Sequence, residues 1–366
     1  MSMKIALLAP GSSVHAVRWA NAFVARGHTV HLITQHAPTH GLDAAVEVIL
    51  LHHLSGVGYL LNGPRLGRTL RAIRPDVVNA HYATGYGTLA RGVGEVPLVL
   101  NVWGSDVYDF PEKSPLHRWW LQGNLRRADA LVSTSEVMAD RTRELVPELP
   151  RPMVVPFGVD LELFRPGASK EPPQKTLVVG TVKTLAPKYG IDQLVRAFAR
   201  TASQTEQKVE LRIVGDGPQK QELQALVRSL GVADRVRFMD RVPHDQVPQV
   251  LAGFDLYAAL SQLDSESFGV AVIEASACGL AVVVSDVGGL PEVVEDGVTG
   301  FVVPRNDPGA AAEKLALLLG SEELRRRMGQ AGRERVTAKY EWGHCVDRML
   351  KVLESATSGA KGPADA

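Results

Sequence analysis

Short apolar runs rich in β-branched residues recur along this chain, and stretches with apolar residues at helical spacing separate most of them. In the first half the runs fall at 4–9, 29–34, 46–51, 77–80, 98–102, 130–133 and 153–155. An amphipathic helix is predicted over 14–26, with a turn at Gly27-His28. Such alternation signals β-α units and a parallel sheet. At RPGASKEPP, residues 165–173, the periodicity stops among prolines and polar residues, as expected of a linker. A second alternation follows, with strands expected at 176–182, 210–214, 236–238, 256–260 and 281–285 and helices at 191–201, 219–230, 247–252 and 270–277. A last helix is expected from about residue 342 to 353, ahead of a small, polar tail, SGAKGPADA, that should fray. The expected fold is α/β, with one domain over 1–165, a second over 166–340, and a terminal helix and tail over 341–366 that invite docking elsewhere. In open sheets of this kind ligands lie at the carboxyl ends of the strands, so two facing sheets make a cleft.

Composition narrows the function classes. The 366 residues suffice for two domains, and 40 Lys plus Arg balance 40 Asp plus Glu. No global field draws the protein to nucleic acid or to an acidic membrane, so nucleic acid is not an expected partner. The cysteines, Cys278 and Cys345, have no framework or metal-ligand spacing; they read as packing residues in a reducing compartment. The opening MSMKIALLAPGSS is too short in apolar residues for a signal segment, and no later run approaches ~20 uninterrupted apolar residues. A soluble, cytoplasmic protein is expected. Two acid-free stretches stand out locally. RLGRTLRAIR, residues 65–74, puts four arginines on one predicted helix, and KSPLHRWWLQGNLRR runs from Lys113 past two tryptophans to Arg127. Basic amphipathic helices with aromatics suit the inner face of a membrane or an anionic acceptor, whereas a solvated face over core tryptophans is the plainer reading.

The chemistry concentrates in ESFGVAVIEASACGLAVVVSDVGGLPEVVEDGVTG, residues 266–300. Glu266 and Glu274 stand eight positions apart around Phe268 and Gly269, with a helix starting at Val270. The free first-turn amides of that helix favour an anion, Glu266 reaches in front of the helix end, and Glu274 reaches beside it. One ligand with sugar hydroxyls, a diphosphate and a ribose would satisfy all three; two ordinary surface acids would give the same spacing. In GTVKTLAPKYG, Lys183 and Lys188 follow a strand end, where two cations suit a diphosphate leaving group. Gly215, in VGDGP, permits close backbone approach or merely punctuates a turn. Gly11, in PGSS, lies in a strand-to-helix loop that lacks the dinucleotide G-x-G-x-x-G spacing, so a phosphate contact and a plain turn are both open. His81, in NAHYATGYG, and Asp106, in NVWGSD, end strands of the first domain; a structural histidine and a capping carboxylate are the competing readings. His52, His53 and His244 show no metal-site spacing.

With these pieces in order, the chain resembles the family-4 retaining glycosyltransferases of the GT-B fold, in which two Rossmann-like domains face a central cleft. The resemblance runs from KIALLAPGSS through RGHTVHLIT, WGSD, VVPFGVDLELFRP, GTVKTLAPKYGIDQLVRAF, IVGDGP and DLYAALSQLDSESFGVAVIEASACG to GGLPEVVEDGVTGFVV. It implies transfer of a sugar, with retention and without a bound metal or other cofactor, from a UDP- or GDP-sugar to a hydroxyl acceptor. Cell-envelope, exopolysaccharide or glycoconjugate synthesis is the expected setting, and the acceptor could be lipid-linked. By the resemblance Glu266 and the amides around Phe268, Gly269 and Val270 hold the donor sugar, Glu274 holds the ribose, and Lys188 matches a phosphate-binding lysine. Lys183 stands where an arginine is usual, which keeps the charge and loses the bidentate fork. Gly11 matches a loop that approaches the diphosphate, and the terminal helix is expected to cross back onto the first domain. The main departure is Trp103, where many members carry a histidine; His81 or Asp106 would then take over, the donor would differ, or catalysis would be impaired. Ala281 replaces a common proline. The expected chemistry is a same-face displacement in which the departing phosphate helps deprotonate the acceptor. A nucleotide-sugar epimerase of GT-B architecture and a nucleotide-sugar binding module are the alternatives.

Overall fold

The computed structural model describes residues 2–38, 41–52, 56–167 and 176–359. The chain forms two compact units, the described parts of Met1–Phe157 with Gly343–Ala366, and those of Gly158–Trp342. Both are parallel α/β sheets, as the alternation predicts.

In the first unit β1 (Lys4–Leu8), β2 (Thr29–Thr34), β3 (Glu47–Leu50), β4 (Val77–His81), β5 (Leu98–Asn101), β6 (Ala130–Ser133) and β7 (Met153–Val154) make one sheet in the order β3-β2-β1-β4-β5-β6-β7. Every pairing is parallel. Strands β4 and β5 are buried along their whole length, as parallel strands covered on both faces must be. Helices Gly63–Ile73 and Pro115–Arg126 cover one face together, sending Leu66, Leu70, Leu121 and Leu125 into a single apolar cluster over the sheet. The last helix, Trp342–Gly359, belongs to this unit from Gly343 onward; it buries Cys345, Met349 and Leu353, and Asp347 pairs with Arg26.

In the second unit β8 (Thr176–Val182), β9 (Lys208–Val214), β10 (Val236–Met239), β11 (Leu256–Ala259), β12 (Ala281–Ser285) and β13 (Gly300–Val303) run in the order β10-β9-β8-β11-β12-β13, again all parallel. Helix Ile191–Gln204 packs Leu194, Val195 and Phe198 into the core. Cutting Phe198 back to Ala would cost about 3–5 kcal/mol. In each sheet the strand order reverses once, between β1 and β4 and between β8 and β11, and those switch points are where such sheets take ligands.

The division between units falls at Phe157/Gly158, ahead of the proline-rich stretch read as a linker. Val159 bridges to Glu341, its carbonyl accepts from the Trp342 amide at 3.0 Å, and the Phe164 carbonyl accepts from Arg333 at 3.2 Å, so 158–164 packs with the second unit. Residues 168–173 of that stretch, His53, and most of the tail expected to fray lie outside the described residues. Cys278 and Cys345 are both buried and are not joined in a disulfide, and burial, with Glu274 next in effect, pushes the Cys278 thiol up to about 12.

Candidate functional site

The second unit brings four of the expected polar residues to the ends of its strands. Lys183 follows β8 directly, its amide extending the ladder to the Val214 carbonyl at 3.0 Å. The loop then turns through a 3-10 segment, Pro187–Tyr189, and sets the Tyr189 ring beneath both lysines, with Lys183 Nζ 4.9 Å and Lys188 Nζ 5.4 Å from its centre. Both ammonium groups reach across the switch point to the loop after β11. Lys183 Nζ meets Glu266 Oε1 at 2.8 Å, and Lys188 Nζ donates to the Ser265 carbonyl at 2.6 Å. Burial works against the Lys183 charge, yet Glu266 facing it holds the ammonium above its usual range. With side chains only 10 % and 8 % exposed, Lys183 and Glu266 form a buried ion pair.

The backbone around Glu266 is fixed from the other side. The Gly289 amide donates to the Glu266 carbonyl at 3.1 Å, and a Cβ on Gly288, which has φ 52°, would lie 2.3 Å from that oxygen. The Gly-Gly of GGLPE is therefore a cradle for the acid loop. Gly269 caps helix Val270–Ala277 at φ 96°, a conformation closed to most side chains, while the Phe268 ring turns into the interior against Tyr340. Val270 is the first helical residue, partly exposed at that end. One turn further in, buried Glu274 places Oε1 2.7 Å from His244 Nε2. Among the described residues the second oxygens of Glu266 and Glu274 have no partner, so each acid keeps acceptor capacity. Gly215 does not reach this cluster by a side chain; at φ 147° it presses on the Lys183 carbonyl, where a Cβ would come within 1.9 Å, and so shapes the β8 loop.

The first unit is built differently. The Gly11 amide donates to Thr34 Oγ1 at 3.0 Å, which ties its loop to β2. Trp103 sits in an aromatic cluster, its ring centre 5.2 Å from His81, 5.4 Å from Phe157 and 6.0 Å from His15. His81 is fully buried and neither ring nitrogen has a hydrogen-bond partner; burial, and then His15, lower its pKa to about 3, so the ring is neutral. It underlies Trp103 and does not meet solvent. Asp106 is likewise turned inward. Fully buried, it accepts from the amides of Ala83 (2.8 Å), Gly104 (2.8 Å) and Trp103 (3.1 Å), clamping the loops after β4 and β5 together. Burial raises its pKa even against those amides.

Two participants escaped the sequence. His244 offered no spacing to any acid, being thirty residues from Glu274 and joined to it only through the fold. Tyr189 had a signal, since it directly follows Lys188, but the contact of its ring with both ammonium groups needed the loop conformation.

Two parallel α/β sheets, one with paired acids and cations across its switch point, are the architecture of a GT-B glycosyltransferase. Residues 4–135 match the family model described as glycosyl transferase 4-like, and residues 167–335 that of glycosyl transferases group 1. The chain is 34% identical over 306 residues to the D-inositol 3-phosphate glycosyltransferase of Mycolicibacterium smegmatis, covering 77% of this chain and 68% of that protein. It is 27% identical over 352 residues to the N-acetyl-alpha-D-glucosaminyl L-malate synthase of Bacillus anthracis, covering 90% of each. The crystal structure of Anabaena HepE in complex with UDP-glucose shares the fold with a TM-score of 0.79 at 21% identity, over 96% of this chain and 100% of that one. The chain belongs to glycosyltransferase family 4 and is a glycosyltransferase.

Proposed function

We propose that the protein transfers a sugar from a UDP- or GDP-sugar to a hydroxyl acceptor with retention and without a metal, in the cytoplasm, in the synthesis of a cell-envelope polysaccharide or glycoconjugate. The observation that carries this reading is the meeting of Lys183, Lys188 and Glu266 at the β8/β11 switch point. Leaving-group charge grows on a diphosphate as the glycosidic bond breaks, and two ammonium groups fixed beforehand stabilise that charge without reorganising. Lys188 donates to the Ser265 carbonyl, which fixes its ammonium at the strand end beside the loop that carries Glu266. Glu266 orients sugar hydroxyls beside the Gly269 and Val270 amides, and Glu274, held by His244, accepts from the ribose. A relative named as acting on inositol 3-phosphate and a fold neighbour crystallised with UDP-glucose support a nucleotide-sugar donor and a hydroxyl acceptor. On this reading the departing phosphate helps remove the acceptor proton on the same face. His81 and Asp106 act through Trp103 and the loops they hold. A lipid-linked acceptor would bring residues 113–127 to the inner face of a membrane.

A melting screen with UDP, GDP and their sugars tests the donor, because a ligand bound only by the folded chain raises stability by about 2.7 kcal/mol at a hundredfold excess over Kd. No shift with any of them overturns the donor reading. The anomeric configuration of the product, read by NMR, tests retention, and turnover that survives chelator tests metal independence. The packed Trp103 keeps one second reading in view, a nucleotide-sugar binder; binding without transfer across an acceptor panel would favour it. An epimerised sugar formed without acceptor would favour an epimerase, a reading to which the named relatives lend no support.

A further inference from the structure

The outer layer of the first unit carries apolar side chains that the core does not use. On helix Pro115–Arg126, Leu116 is 65% and Trp119 60% exposed, one helical turn apart, although Trp120 beside them is anchored through Nε1 to Thr88 Oγ1 at 2.9 Å. Val57, Leu60 and Leu61, around the short helix Gly58–Leu61, are each more than half exposed. Large exposed aromatics and leucines grouped on one face mark an interaction site more often than an accident of surface composition.

These groups share one layer. Helices Gly63–Ile73 and Pro115–Arg126 bury their leucines in the same cluster over one face of the sheet, so their outer sides look away from that sheet together. The 3-10 turn Ala90–Gly92 joins them. Gly92 lies so close to Gly63 that a Cβ would meet its carbonyl at 3.1 Å, and the Arg91 guanidinium lies 4.3 Å above the Trp120 ring while donating to Asn124 Oδ1 at 2.6 Å.

Charge decides the kind of partner. From Val57 to Arg74 the sequence contains no Asp or Glu, and Arg68, Arg71 and Arg74 are exposed. None of them pairs with a carboxylate among the described residues. Two acids near the second helix are already engaged, Glu112 by Arg118 and Arg141 at 2.8 and 2.6 Å, and Glu148 by Arg126. A face with unpaired guanidinium groups beside Trp and Leu matches phospholipid headgroups over acyl chains, the arrangement that holds amphipathic helices in an interface. A protein partner would need its own acidic patch around an apolar centre.

We propose that this face, built by Gly58–Leu61, Gly63–Ile73 and Pro115–Arg126, docks the protein on a bilayer surface containing anionic phospholipid. The docking widens the membrane contact from residues 113–127 to a two-helix surface and is independent of the donor chemistry. Vesicles of phosphatidylcholine with about 30% phosphatidylglycerol, and of phosphatidylcholine alone, test it by co-sedimentation of the whole protein at about 0.05 M salt. The protein pellets with the anionic vesicles only, and Arg68→Gln with Arg71→Gln lowers partitioning about tenfold or more. Trp119→Phe removes the blue shift of tryptophan emission that accompanies binding. No pelleting at low salt, equal pelleting of the double variant, or a dimer in sedimentation velocity that Leu116→Ser with Trp119→Ser abolishes would each overturn the proposal, the last by assigning the face to a second copy. The nucleotide-induced melting shift is measured on the same variants. Its retention shows that they are folded, and its absence in the parent counts against the donor reading alone.

Discussion

The two switch points are held by opposite means. At β8/β11 charges span the loops, with Lys183 on Glu266 and Lys188 on a carbonyl, and His244 hydrogen-bonds Glu274 beside them. At β1/β4 the ties are neutral or point inward, with His81 uncharged under Trp103 and Asp106 turned to backbone amides. A charged tie can exchange one partner for a ligand oxygen without stranding a buried charge. A neutral aromatic cluster offers shape, and holds a loop in one place whether or not a ligand is present.

Breaking the charged side should have the largest effect. Lys183→Ala strands Glu266 in a buried site and should cost about 3–5 kcal/mol in urea unfolding, while Lys183→Met combined with Glu266→Gln should recover most of it. If Lys183→Ala is as stable as the parent, the pair is not structural. Lys188→Ala should lower turnover by about two orders of magnitude with the melting temperature nearly kept; unchanged turnover removes Lys188 from the leaving-group site.

Acid and alkali should separate the two units. The folded His81 pKa of about 3 lies below its ordinary 6.5, so between those values the unfolded chain binds a proton that the folded chain refuses. Its contribution is therefore full above pH 6.5 and is lost as pH falls toward 3, with a slope of at most about 1.4 kcal/mol per pH unit. His81→Leu should flatten this acid limb. Lys183 is shifted the other way, so its contribution is present below 10.5 and is lost as pH rises beyond, and Lys183→Met with Glu266→Gln should flatten that alkaline limb. A parent whose stability is level from pH 6.5 to 3 would contradict the neutral His81. The smallest effect is expected from His244→Ala, about fivefold weaker donor binding by calorimetry with saturated turnover kept, because Glu274 loses its orienting partner.

The sheets were legible because parallel strands must be apolar on both faces, which leaves a strong mark in runs such as AVVVS of β12. Glu266, Lys183 and Lys188 were legible because their loops leave adjacent strands and repeat a familiar order. What stayed hidden depended on contacts that local pattern does not encode. His244 meets Glu274 only when β10 and helix Val270–Ala277 are in place, and the inward turn of Asp106 follows from amides on two loops. The limit between units escaped for a related reason, since residues 158–164 have no periodicity of their own and take their side by packing near Glu341 and Arg333.

The terminal helix has a consequence for how the chain is made. Strands β1 to β7 leave the ribosome first, yet the unit they form includes Cys345, Met349 and Leu353, which are synthesised after the whole of the second unit. The unit begun first is therefore finished last. Until Gly343 and the turns beyond it emerge, it must wait with the apolar surface meant for that helix uncovered, while the second unit, continuous from Gly158 to Trp342, already has every residue that it needs.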